Sequence, residues 1–268
     1  MAEKAEAAWF ADSDAYEQYI GRWSRLIGGL FLDWLSLPAS LHWVDVGCGT
    51  GALTETVLNL ANPIKVTGVE PSREFLETAR HKIDDDRVEF KSGIAMSLPI
   101  NDSEVDVIVG GAVLNFLPNK EGAIQEFCRV VRPGGTIAMY VWDYAGEMQL
   151  IRYFWNAVCE LFPDAVELDE GRLFPICDPE PLYNLFISSS LASVEVQALE
   201  TPTIFSSFDD YWSPFLRGQG PAGAYCGSLS EKDRERLRSR LEESVPTNSD
   251  GSIHLIARAW AVRGTIRV

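Results

Sequence analysis

Val44-Asp45-Val46-Gly47-Cys48-Gly49-Thr50-Gly51 decides how this chain reads. A short, mostly apolar run from Leu41 to Val46 carries Asp45 near its end. Three glycines follow at alternate positions, and an apolar helical pattern begins directly after them. A strand feeding a glycine-rich turn into a helix start is a ligand site by construction. Glycine tolerates positive φ and lets a ligand approach the backbone closely. The first turn of a helix also offers N–H groups without intrahelical partners.

Outward from this stretch, apolar runs alternate with helical patterns. Lys65 to Val69 predicts a second strand, ending at Glu70, and Pro71-Ser72 opens a helix carrying Phe75, Leu76, Ala79 and Ile83 on one face. Arg87 to Lys91 and Val105 to Val109 predict the third and fourth strands. Glu121 to Val131 predicts a helix that Arg132-Pro133-Gly134-Gly135 should stop, followed by a fifth strand from Thr136 to Trp142. Strands alternating with helices predict an α/β fold with a doubly wound, mostly parallel sheet. Beyond Trp142 the pattern predicts helices at Gln149–Phe162, 178–185, 207–216 and 230–245, a loop at 219–227, and strands at 191–200 and 253–262. An aromatic helix over Asp14 to Leu35 precedes the first strand. The expected division is an N-terminal helical lid (1–36), a core (37–144, 191–205 and 250–268) and an inserted α-rich cap with a surface helix (145–190 and 206–249).

The glycine run fits two cofactor templates. Gly47-x-Gly49-x-x-Ala52 satisfies a dinucleotide fingerprint. Gly47-x-Gly49-x-Gly51 with Asp45 two residues earlier fits a site for S-adenosylmethionine. Charge separates them: a pyrophosphate on this turn would be repelled by Asp45, whereas an ammonium and a sulfonium would be favoured. Glu70 suits ribose hydroxyls in either case.

These segments together resemble a class I S-adenosylmethionine-dependent methyltransferase, of the Rossmann-like group that includes ubiquinone and menaquinone methyltransferases. The resemblance runs from about Leu41 to Trp142, with four motifs in family order: Val44–Gly51, Val69–Ser72, Ser92–Pro99 continuing into Ser103–Val107, and Arg129–Gly135. It implies S-adenosylmethionine as cofactor, held by Asp45, Gly47, Cys48, Gly49, Gly51, Glu70, Pro71, Ser72, Gly111 and the loop Ile94, Ala95 and Met96. Ile94 stands where the family often has an acidic residue that accepts from the adenine amino group. Tyr16, Tyr19 and Arg22 on the first helix are expected to close over the cofactor, with Arg22 on its methionine carboxylate. In-line methyl transfer needs mainly proximity and orientation, and a base only when the acceptor must lose a proton. Asn115, Asp143 and Tyr144, just past strand ends, are the candidate catalytic groups. His42, His81 and His254 read as structural. Trp155, Arg172, Tyr211, Trp212 and Tyr225 are candidate substrate contacts for a small, partly apolar or aromatic molecule. The same fold would also serve non-methylating chemistry such as cyclisation, or a non-catalytic binding module.

The bulk numbers agree with this reading. The chain has 268 residues, 46% hydrophobic, enough for a substantial core. Its net charge of −16 disfavours a nucleic-acid partner. Five cysteines without CxxC spacing read as reduced thiols and predict no metal site. No apolar run approaches the ~20 residues that span a bilayer, so a cytoplasmic protein without membrane insertion is expected.

Overall fold

The computed structural model describes residues 21–268. Tyr16 and Tyr19 fall outside them. The described chain contains a seven-stranded sheet, order β3-β2-β1-β4-β5-β7-β6. The strands are β1 His42–Val46, β2 Lys65–Glu70, β3 Val88–Ser92, β4 Val105–Gly111, β5 Val131–Trp142, β6 Ala192–Phe205 and β7 Ile253–Thr265. β1 pairs in parallel with β2 and β4, β2 with β3, and β4 with β5. Gly134 N–H donates to the Ile266 carbonyl and Asp143 N–H to that of Arg258, so β7 runs against β5. The main helices are α1 Arg22–Leu35, α2 Ala52–Leu60, α3 Arg73–Lys82, α4 Lys120–Val130, α5 Gln149–Leu161, α6 Pro179–Ser188, α7 Phe208–Trp212, α8 Gly220–Ser228 and α9 Glu231–Ser244. Among the described residues no helix is long and apolar enough to cross a membrane.

The doubly wound parallel core is as the alternation predicted. β1 is buried from Trp43 onward and β4 over Val105–Gly110, because a parallel strand with helices on both faces has no wet side. The chain steps outward from β1 through β2 to β3, then returns to β4 on the other side of β1. That reversal between β1 and β4 is the switch point beside which open α/β sheets bind ligands.

Three local expectations are corrected. Arg132-Pro133-Gly134-Gly135 does not separate helix from strand; it lies inside β5. Val105 pairs with Val131 but Val107 with Thr136, so the extra residues form an irregularity that the positive φ of Gly134 accommodates. Residues 219–227, expected as a loop, form helix α8 instead. Pro221 sits in its first turn, and its small residues let it pack closely: a Cβ on Gly223 would come within 2.8 Å of the Gly218 backbone. Burial there outweighs weak intrinsic propensity. Residues 207–216 are not one helix; α7 gives way to a 3₁₀ turn at Ser213–Arg217, where Pro214 removes a donor.

The chain groups into two compact units. One comprises 24–141, 176–199 and 259–268; the other, among the described residues, 21–23, 142–175 and 200–258. Residues 24–35 of α1 and residues 176–190 group with the first unit. Phe31 of α1 meets the Tyr140 ring edge-on at 5.3 Å.

In the second unit Glu170 is fully buried and accepts a hydrogen bond from Trp155 Nε1. Burial pushes its carboxyl up to about 8. The folded chain therefore keeps a proton that the unfolded chain releases, and stability falls as pH rises between the ordinary Glu range and about 8. Urea midpoints for Glu170→Gln should show a gain over the parent at pH 9 relative to pH 5, on the order of 4 kcal/mol. Equal pH dependence in both proteins would contradict an uncharged Glu170.

Candidate functional site

The turn after β1 is built on positive φ at Gly47 (69°), Gly49 (53°) and Gly51 (90°). Gly47 and Cys48 both donate their N–H groups to the Val69 carbonyl, at 2.8 and 3.2 Å, which ties the turn to the end of β2. The three glycines differ in purpose. A Cβ on Gly47 would overlap Val113 Cγ2, and one on Gly51 would lie 2.7 Å from Ile83 Cδ1. A Cβ on Gly49 would meet nothing within 4 Å. Gly47 and Gly51 are thus needed for packing, while Gly49 borders open space. Gly51 caps α2 without any side-chain hydrogen bond.

Two carboxyls face this turn. Asp45 is fully buried; its Oδ2 accepts from Thr54 Oγ1 at 2.7 Å, and its Oδ1 has no partner among the described residues. Burial pushes its carboxyl up to about 7, against the pull of the Thr54 hydroxyl and with some help from the charge of Glu70. Glu70, buried at the end of β2, accepts from Gly49 N–H at 3.2 Å and Ser72 N–H at 2.9 Å. Burial raises it too. Ser72 in turn caps α3 through Phe75 N–H, and Pro71 beside it is exposed. The Cys48 thiol is pushed far up by burial and by Asp45 and Glu70, so it is no nucleophile.

The remaining expected cofactor residues lie in the same unit. The Ile94 side chain is about half exposed and its carbonyl accepts from Ser97 N–H at 3.0 Å; Ala95 is buried and Met96 partly so. No carboxylate stands on this loop, as the sequence indicated. At Gly111 a Cβ would overlap the Tyr140 hydroxyl. Arg22 belongs to the other unit, where Asp210 Oδ1 holds its Nη1 at 3.3 Å.

The candidate catalytic groups separate sharply. Asn115, in the 3₁₀ turn Leu114–Phe116 after β4, is 5% exposed, yet neither its amide oxygen nor its amide nitrogen has a partner among the described residues. Asp143 is already engaged: Oδ1 accepts from Gly146 N–H, and Oδ2 from Glu147 N–H and Arg258. It fastens a loop. Tyr144 is buried against Phe174. Each histidine is hydrogen-bonded locally: His42 to Thr67, His81 to the Glu77 carbonyl, His254 to Ser252.

Four of the candidate substrate residues, Trp155, Tyr211, Trp212 and Tyr225, join one aromatic cluster through Phe154 and Phe215, and Arg172 stands apart. Trp155 is fully buried against Tyr225, ring centroids 5.6 Å apart. Tyr211 is buried and donates its hydroxyl to the Leu150 carbonyl, and Trp212 packs on Phe215. Arg172 is exposed and pairs with Glu167. Residues not singled out from the sequence also matter. Thr54 holds Asp45, and Val113 wedges against Gly47 and Gly110. A buried threonine on the apolar face of α2 was the available signal for the first; nothing in the sequence marks the second.

Comparison with known proteins agrees with this geometry. A family model described as a methyltransferase domain matches residues 44–139. Trans-aconitate 2-methyltransferase of Variovorax paradoxus (strain S110) is 35% identical over 226 residues, covering 80% of this chain and 83% of that protein. The chain belongs to the class I S-adenosylmethionine-dependent methyltransferases. The 27-O-demethylrifamycin SV methyltransferase of Amycolatopsis mediterranei (strain S699) is 34% identical over 137 residues, and there the chain spans about half of the relative's length, 48%. Among solved structures, phosphoethanolamine N-methyltransferase 2 of Haemonchus contortus, with phosphomonomethylethanolamine and S-adenosylhomocysteine, gives a TM-score of 0.62 at 14% identity, covering 100% of this chain and 61% of that one. At that identity the likeness is one of fold alone. Methyltransferases of this class use S-adenosylmethionine, and the residues present fit it: a buried carboxylate oxygen lacks a partner, and open space borders Gly49.

The glycines provide a direct check. Gly47→Ala should lower stability by about 2–4 kcal/mol, combining overlap and left-handed strain. Gly49→Ala should cost only about 1–2 kcal/mol, the left-handed penalty alone, but should weaken S-adenosylhomocysteine binding roughly tenfold or more by placing a methyl in the cradle. Calorimetric binding and denaturation curves for both variants separate the two effects.

Proposed function

We propose that this methyltransferase acts on a small organic acceptor with an apolar or aromatic part. The single observation that carries the cofactor half of this reading is the buried Asp45 Oδ1, which has no partner among the described residues and stands two residues before the glycine turn. When bound, S-adenosylmethionine supplies a sulfonium methyl group for in-line transfer. Asp45 Oδ1 holds the cofactor's ammonium, which gives the buried carboxylate the positive partner it lacks. Glu70 accepts from the ribose hydroxyls while keeping its hydrogen bonds from Gly49 and Ser72. Gly47, Cys48, Gly49 and Gly51 form the cradle, Pro71 and Ser72 border the ribose, and Ile94, Ala95, Met96 and Gly111 line the adenine side. With no side-chain acid on that loop, backbone groups read the base edge.

The acceptor half draws support from the two curated relatives, both named for small organic acceptors. Asn115 orients the acceptor: it is the candidate whose hydrogen-bonding capacity is wholly free, whereas Asp143 is held by its loop. An amide can both donate to and accept from a substrate group but takes up no proton at neutral pH. Its share is therefore positioning, and the acceptor must be nucleophilic without a strong base on Asn115.

Turnover tests this reading. S-adenosylhomocysteine should form when S-adenosylmethionine is incubated with trans-aconitate or with simple aromatic acids. Asn115→Ala should cut that rate about 10-fold or more while leaving S-adenosylhomocysteine affinity unchanged. Release of S-adenosylhomocysteine with none of a broad panel of small acceptors would remove the acceptor assignment.

Asp45 adds a pH signature. Because its carboxyl sits at about 7 in the folded chain, the charge that the ammonium needs is lost as pH falls through neutrality. Affinity for S-adenosylhomocysteine should drop by up to ~10-fold per pH unit below 7. Asp45→Asn should bind weakly at every pH with a flat profile. An unchanged profile in that variant would reassign the ammonium site.

A further inference from the structure

The segment that leaves β4 is held from several sides. Ala112 has a φ of 53°, a left-handed conformation that a residue other than glycine keeps only when its surroundings impose it. Its N–H donates to the Tyr140 carbonyl at 2.8 Å. Val113 fills the space that a Cβ on Gly47 or Gly110 would need. The 3₁₀ turn itself is closed by Phe116 N–H on the Val113 carbonyl at 3.0 Å and by Leu117 N–H on the Leu114 carbonyl at 3.3 Å. Asn115 sits in this turn, two residues after the valine that packs on the glycine turn following Asp45.

The Asn115 side chain takes no part in that fastening. It is 5% exposed, and both Oδ1 and Nδ2 lack a partner among the described residues. Asn119, four residues later, shows the structural use of an asparagine in this segment: its Oδ1 caps α4 by accepting from Gly122 N–H at 2.9 Å. Buried polar side chains are nearly always hydrogen-bonded, because desolvation without a partner costs free energy. A leucine of similar shape would fill the same volume without that cost. A buried amide with both ends idle, on a turn this firmly held, points to a ligand that answers it.

The amide dictates the chemistry of that ligand. Oδ1 only accepts and Nδ2 only donates. A group with acceptors alone, such as a carboxylate or a ketone, answers Nδ2 and leaves Oδ1 bare. A group with donors alone, such as an ammonium or an amidinium, does the reverse. Either way one buried atom stays desolvated without a bond, which is the costlier condition. A group that sets a donor beside an acceptor satisfies both atoms at once. We propose that Asn115 selects methyl acceptors by such an edge: an O–H or N–H next to an oxygen, as in a carboxamide or in a hydroxyl flanking a carbonyl or carboxylate. This rests on the methyl-transfer reading above and narrows its acceptor class from small organic molecules to those with that edge. Among acids it favours hydroxy acids over those with bare carboxylates.

Three probes of one shape test the proposal on protein saturated with S-adenosylhomocysteine. Benzamide carries a donor and an acceptor, whereas acetophenone and benzoate carry acceptors alone. Benzamide should bind about tenfold or more tighter than either, the ratio expected when one buried amide atom is left unanswered. Asn115→Leu should bring the three probes within about threefold of one another. Because it removes two unanswered polar atoms, that variant should melt no lower than the parent. The proposal is overturned if none of the probes binds, if acetophenone or benzoate matches benzamide, or if the preference survives in Asn115→Leu. A melting temperature several degrees lower in Asn115→Leu also overturns it, since the amide then serves the fold. Calorimetry of S-adenosylhomocysteine on the same proteins keeps the two readings apart. Intact cofactor binding with indifferent probes defeats the donor–acceptor edge and leaves methyl transfer standing, whereas a parent protein that binds no S-adenosylhomocysteine defeats the reading beneath it.

Discussion

A carboxylate buried at the end of a central strand is costly unless something answers its charge. Asp45 is such a group, and the surrounding unit is arranged around it. The strand that carries it is flanked on both sides by parallel partners, so it cannot shift to bring the side chain to water. Thr54, one turn into the following helix, answers one oxygen. The other is left free, and the glycine turn that follows keeps side chains away from the space at Gly49. Val113 fills the volume that any residue larger than glycine would occupy at position 47, locking the turn against the segment after β4. The carboxyl, the turn and the β4 loop are thus mutually dependent: each holds its place only if the others hold theirs.

Burial by itself does not identify a functional acid. Glu170 is as deeply buried as Asp45, and its carboxyl is raised in the same way. The difference lies in what surrounds them. Glu170 faces Trp155, itself fully buried in an aromatic cluster, so its proton serves the packing of that region. Asp45 has an oxygen without a partner among the described residues and directly precedes a turn kept open at Gly49. Asp143, Asp169 and Glu126 show a third condition: each is wholly engaged in fastening loop N–H groups and an arginine. Acids of one kind thus divide into a ligand-facing group, a packed group and fasteners according to their hydrogen-bond partners.

Those partners also explain how much the sequence disclosed. The alternation of apolar runs and helices, the positions of Gly47, Gly49 and Gly51, and Glu70 at a strand end are local features, and each carried over to the fold and the turn. Pro133-Gly134-Gly135 misled because its role depends on strand β7, more than a hundred residues later. The α8 segment misled because its Gly and Ala content reads as a loop until burial makes small residues an advantage. Asp143 and Asn115 looked alike as polar residues past strand ends. Arg258 and the loop N–H groups of Gly146 and Glu147 separate them, and a strand-end position alone says nothing about those contacts.

The aromatic residues past Trp142 were the least legible, for a related reason. Helical spacing puts an aromatic ring on an inward face whether that face meets another helix or a ligand. Tyr211 and Trp155 turn out to have their polar atoms satisfied inside the unit, by Leu150 and Glu170. Trp23 does not. An indole whose N–H is answered by the protein belongs to the packing, and one whose N–H is unanswered is a place to look for a ligand. Not every idle group has this meaning, since Trp43 Nε1 is also unpartnered in the core of its strand. What distinguishes Asp45 from such groups is charge: a buried carboxylate oxygen without a partner is far more costly than a neutral N–H, so it calls for a cation in a way that isolated packing defects do not.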